Sequence, residues 1–112
     1  MQVEQISEAL REQVQEQLVR QIQVAQESHL LLYSQVLERF FRDVEERAFQ
    51  KADGLPLSDT AGRDRAYFIV HLSRKFKKAL EQYIQTGELA EAQLSELLED
   101  KKKKSLLGGL LG

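Results

Sequence analysis

An all-α fold is predicted by two features of the 112-residue sequence: its proline usage and its apolar spacing. Proline occurs once, at Pro56, and the chain from Gln2 to Asp53 contains neither proline nor glycine. Apolar residues recur at steps of three and four on both sides of Pro56, the spacing that keeps them on one face of a helix. The expected architecture is a long N-terminal helix, a loop holding Pro56, an antiparallel second helix completing a hairpin, a short third helix and a flexible C-terminal tail.

The first helix is expected from about Ser7 to Ala52 without interruption, because Gln, Glu, Leu and Arg are good helix formers. Its N-terminal half carries one narrow stripe, formed by Val3, Ile6, Leu10, Val14, Leu18, Ile22 and Ala25. The mean step in that stripe is about 3.67 residues, so only a slight supercoil is expected. From Leu30 the apolar surface broadens through Leu31, Leu32, Tyr33, Val36, Leu37, Phe40, Phe41, Val44, Ala48 and Phe49, the pattern of a core helix. "KADGLPLSDTAG" is the strongest break: Gly54 is placed to close the helix in the left-handed conformation, and Pro56 cannot continue it. Ser58, Asp59 or Thr60 is placed to cap the next helix.

The second helix is expected over roughly Ala61 to Gln85, with Tyr67, Ile69, Val70, Leu72, Phe76, Leu80, Tyr83 and Ile84 buried. Thr86 and Gly87 are read as a stop. The third helix, "ELAEAQLSELLED", turns Leu89, Ala90, Leu94, Leu97 and Leu98 inward. Three segments follow from this: a Gln-rich helical arm over 1–26, a hairpin plus third helix over 27–100, and a tail over 101–112. At 1.5 Å per residue the first helix would reach about 70 Å and the second only about 37 Å, leaving the arm uncovered. A half-helix with one narrow stripe is marginal alone in water, so the arm is expected to bind another copy or another protein.

The composition excludes several classes of function. The net charge of −2 argues against wholesale coating of nucleic acid, and the absence of cysteine removes thiol chemistry. "MQVEQISEALREQ" lacks the basic start and apolar core of a signal peptide, and no apolar run reaches transmembrane length. A soluble, cytoplasmic protein is expected. His29 and His71 fall on different predicted helices without a second ligand at metal spacing, and Glu4, Glu8, Glu12 and Glu16 repeat along a solvated face. "DGLPLSD" lacks the alternating oxygen ligands and terminal glutamate of a calcium loop. There is no phosphate-binding or dinucleotide fingerprint. No catalytic residue, cofactor or metal site is expected, and the chain reads as a non-enzyme.

Charge and tail supply the remaining candidates. Arg63, Arg65, Arg74, Lys75, Lys77 and Lys78 cluster on the second helix, whereas Glu88, Glu91, Glu96, Glu99 and Asp100 carry the third. Those bases form either a phosphate-binding face or partners for nearby acids. Lys101 to Lys104 precede Leu106, Leu107, Leu110 and Leu111, with Gly108 and Gly109 between the leucine pairs. The tail reads as a docking peptide that becomes ordered on assembly. Adsorption of its polybasic and apolar parts to an anionic membrane is a weaker alternative.

Residues 57–94, "LSDTAGRDRAYFIVHLSRKFKKALEQYIQTGELAEAQL", carry two motifs. Gly62, Arg63, Asp64, Ala66 and Tyr67 form the first; Thr86, Gly87, Leu89, Ala90, Ala92 and Leu94 form the second. In both, the chain resembles small α-helical proteins of tailed-bacteriophage structural and DNA-packaging gene sets. That resemblance implies a context rather than an activity, and a location in the virion or the host cytoplasm. The expected function is an oligomeric structural adaptor of a bacteriophage particle. Its contacts would be Val3, Ile6, Leu10, Val14, Leu18 and Ile22 of the arm with Leu106, Leu107, Leu110 and Leu111 of the tail. The expected partners are other copies, a larger virion protein, or both. The alternative is a nucleic-acid-binding module, such as a small terminase-like packaging subunit, acting through the six bases of the second helix.

Overall fold

A computed structural model describes the backbone of residues 2–111 and the side chains of residues 7–103. The protein is all-helical: α1 spans Gln2–Leu32, α2 Gln35–Gly54 and α3 Thr60–Leu111. Three expected boundaries are corrected.

The first helix does not run unbroken to Ala52; it stops at Leu32 and restarts at Gln35. Ser34 makes the break, with extended backbone (φ −71°, ψ 126°) and a hydroxyl that accepts from Leu37 N–H at 3.4 Å. Upstream, the Ser34 amide donates to Leu31 O at 3.1 Å, a tightened final turn that satisfies one orphan carbonyl.

The second and third helices are not separate. α3 passes through Thr86 and Gly87 without interruption. It also continues through the lysine block to Leu111, where an extended tail was expected. Glu99 and Asp100 stand four residues before Lys103 and Lys104, the acid-first order that supports a helix and offsets lysine repulsion. Interior glycine costs about 1 kcal/mol, which a continuing helix tolerates at Gly108 and Gly109.

Between α2 and α3 the loop is short and tied down. No residue among those described has positive φ, so Gly54 does not close α2 in the left-handed region. Instead Leu55 is extended and its N–H donates to Ala52 O at 3.3 Å. Of the three candidate caps Asp59 serves: its Oδ1 accepts from Gly62 N–H at 2.9 Å. The Arg63 guanidinium donates to Leu57 O and holds the loop against the first turn of α3.

The chain forms two compact units, which differ from the three expected segments: one joins residues 1–27 with 83–112, the other comprises 28–82. In the first unit α1 is not an uncovered arm. Leu18 is buried, Ile22 and Ala25 are half-buried, and opposite them Gly87 and Ala90 are buried, Ala90 with 0% exposure. A Cβ on Gly87 would collide with the Cβ of Ala25 and lie 3.3 Å from the Gln21 carbonyl oxygen. Thus Gly87 is a point of close helix approach, not a terminator. Arg11 and Gln15 share a groove with Leu97 and Lys101, so α1 and this part of α3 run antiparallel. Leu10 and Val14 are exposed because the seam steps by about 3.5 residues, through Arg11, Gln15, Leu18, Ile22 and Ala25. The apolar stripe, with its longer period, winds away from that seam toward the N-terminus.

In the second unit α2 packs antiparallel on the first part of α3. Phe41 meets Phe76 at 5.5 Å between ring centroids, and Phe49 meets Tyr67 at 6.2 Å. The centre is a cluster of small residues, Ala48, Ala52, Ala66 and Val70, which brings the two backbones close. Larger apolar residues are consequently displaced to the sides. Among the described residues no large side chain is fully buried.

Candidate interaction face

The hairpin of the second unit has two unlike flanks. The α3 seam consists of Ala66, Val70, Ser73, Lys77 and Leu80, all buried or half-buried. Residues of a helix are set about 100° apart, which places Tyr67 and Arg74 on one side of this seam and Ile69, Leu72 and Phe76 on the other. The first flank is mixed, with charged pairs beside an aromatic pair. Arg74 Nε bonds Glu45 Oε1 at 3.3 Å, Arg42 pairs with Glu38 at 3.5 Å, and Phe49 meets Tyr67 edge-on while Tyr67 stays half exposed.

The second flank is apolar on both helices. Leu37 and Val44 of α2 are half-buried, while Phe40 of α2 is 57% exposed. Across from them Ile69 is 45%, Leu72 50% and Phe76 51% exposed, and Phe68, one turn before Leu72, is also bare. Ile69, Leu72, Phe76, Ala79 and Tyr83 step by three and four along α3, so this helix carries a second seam beside the one it uses. At the loop end of the flank is a cleft of ≈ 180 Å³ that includes Lys51, Leu55, Asp59, Arg65 and Ile69. Lys51 and Arg65 outnumber Asp59 there, so that end carries a net positive charge.

Phe40, Ile69, Leu72 and Phe76, expected to be buried, are about half exposed on this flank, and Tyr67 and Tyr83, expected to be buried as well, are equally exposed. A signal for this was present. Two adjacent apolar seams on a helix paired with only one neighbour leave one seam uncovered.

The arm residues proposed to meet a partner divide differently. Leu18 and Ile22 are engaged within the first unit, while Leu10 and Val14 are exposed. The side chains of Val3, Ile6, Leu106, Leu107, Leu110 and Leu111 lie outside the described residues.

Of the six candidate phosphate-binding residues, Arg63, Arg74, Lys77 and Lys78 fall within about 100° of arc on α3, and Arg65 lies on the opposite flank. Arg63 is tied to the loop and Arg74 to Glu45, and the Lys77 ammonium stands 5.0 Å from the centroid of the Phe41 ring. Arg65, Lys75 and Lys78 are exposed. Half of the cluster therefore has a partner within the chain. Among the described residues no group of three or more His, Cys, Asp or Glu side chains is placed to hold a metal ion, and no helix is long and apolar enough to cross a membrane.

Comparison with protein-family models, curated proteins and solved structures returned no match.

Proposed function

We propose that this chain is a non-enzymatic structural adaptor that works by docking helices onto the apolar flank of its α2–α3 hairpin. The observation that carries this reading is the contrast between flanks. One mixes exposed ion pairs with an aromatic pair, while the other is apolar on both helices and leaves Phe40, Ile69, Leu72 and Phe76 about half in water. Exposed apolar surface of this extent on both helices of a hairpin is the usual mark of an interaction site.

The reading moves the contact surface away from the N-terminal stripe, since Leu18 and Ile22 already serve the chain's own packing. The resemblance of residues 57–94 to small phage helical proteins supports a particle-assembly setting. Several motif residues, Gly62, Ala66, Gly87, Ala90 and Leu94, lie in packed positions, so the two motifs read as rules for helix approach rather than as a binding signature.

The test is sedimentation of the purified chain, alone and co-expressed with the proteins encoded beside it. The expected result is a complex, with itself or with a neighbour, that Leu72→Asp abolishes while circular dichroism stays helical. A chain that remains a monomer in both settings would overturn the reading.

A further inference from the structure

We infer that the occupant of the apolar flank is a second copy of this chain, docked antiparallel about a twofold axis near Leu72. The inference deepens the proposed function and rests on it.

Shape is the first argument. The flank is two helices wide, with Leu37, Phe40 and Val44 facing the same side as Ile69, Leu72 and Phe76. A single added helix covers one groove, whereas a second two-helix layer covers both ridges and closes a four-helix core.

Area is the second. Phe40, Phe68, Ile69, Leu72 and Phe76 are each 45–58% exposed. Side chains of this size bury about 150–250 Å² when fully covered. Each therefore leaves about 100 Å² bare, or roughly 500 Å² per copy, at the upper end for an isolated monomer patch. Two such patches face to face, with their polar rims, reach the roughly 1,200 Å² at which specific interfaces begin.

Charge chooses the orientation. Lys51 and Arg65 line the loop end of the flank, with Asp59 the one acid among the residues lining that cleft. A parallel pairing would stack those positive ends on each other. An antiparallel pairing centred on Leu72 separates the two Arg65 backbones by roughly 20 Å, seven residues on either side of the axis. That exceeds the screening length of about 8 Å at physiological salt, so the repulsion vanishes.

Because the chain contains no cysteine, single cysteines are clean reporters. With Leu72→Cys, a short bismaleimide should give covalent dimers. Arg42→Cys, on the ion-paired flank, and Arg65→Cys, at the positive end, should give few. Light scattering on the unmodified chain should report twice the monomer mass, reduced to the monomer by Leu72→Asp. Leu72→Gln serves if that aspartate prevents folding.

Stronger cross-linking through Arg65→Cys than through Leu72→Cys would overturn the antiparallel arrangement. A monomer at tens of micromolar would overturn the second copy as occupant. If that monomer still forms a Leu72-dependent complex with a neighbouring gene product, the adaptor reading stands and this inference alone fails. Leu72-dependent binding of the monomer to phosphatidylserine vesicles would instead assign the flank to a membrane surface, and the inference fails likewise.

Discussion

At the scale of single residues, the two glycines of contrasting surroundings make opposite predictions. Gly54 ends α2 without positive φ and has nothing within 4 Å of where a Cβ would sit. Gly54→Ala should therefore raise stability by about 0.5 kcal/mol, through reduced freedom of the unfolded chain. Gly87→Ala gains the same kind of term, but its new Cβ meets the Ala25 Cβ, which has no flexible end to move aside. Overpacking of this kind costs about 1–3 kcal/mol, so a lower melting temperature is expected. Combining it with Ala25→Gly should recover part of the loss, and strict additivity in thermal melts would refute the contact. Ser73 adds a third case, because its buried hydroxyl has no partner. Ser73→Ala removes an unsatisfied donor and improves helix propensity, so unfolding in urea should show equal or greater stability.

At the scale of elements, capping determines where the helices begin. Asp59 accepts from Gly62 N–H at 2.9 Å, whereas Ser34 accepts from Leu37 N–H at a longer 3.4 Å. Asp59→Ala should cost about 1 kcal/mol, within the usual range for a lost cap, and Ser34→Ala less. Equal losses in denaturant titrations would contradict this ranking. The same elements explain what could be read from the sequence. The break around Pro56 was legible because proline, glycine and a capping acid coincide there. The break at Ser34 was not: one serine between good helix formers is a weak signal, and tertiary packing decides whether it caps or continues. Gly87 was misread because a helical glycine serves equally as a stop or as a place of close approach, and only the position of Ala25 distinguishes them. Ile69, Leu72 and Phe76 were legible as apolar. Their exposure depended on how much of each helix a neighbour covers, which changed once α3 proved continuous.

At the scale of the whole molecule, apolar side chains are bare beyond the flank as well, among them Leu30, Tyr33, Val36 and Leu57. Any association that covers them stabilises the folded form by mass action, so the melting temperature should rise with protein concentration. A melt independent of concentration over two orders of magnitude would count against self-association. Connectivity has a separate consequence. Among the described residues the backbone leaves helical geometry only around Tyr33–Ser34 and over Leu55–Asp59. Each place presents a bare chymotrypsin-type residue, Tyr33 at 71% and Leu57 at 85% exposure. Proteases cut where a strand of backbone can be drawn out of its hydrogen bonds, and intact helices resist this. Brief digestion should therefore nick after Tyr33 and Leu57 before anywhere else, releasing fragments that mass spectrometry would recognise as the three helices one by one.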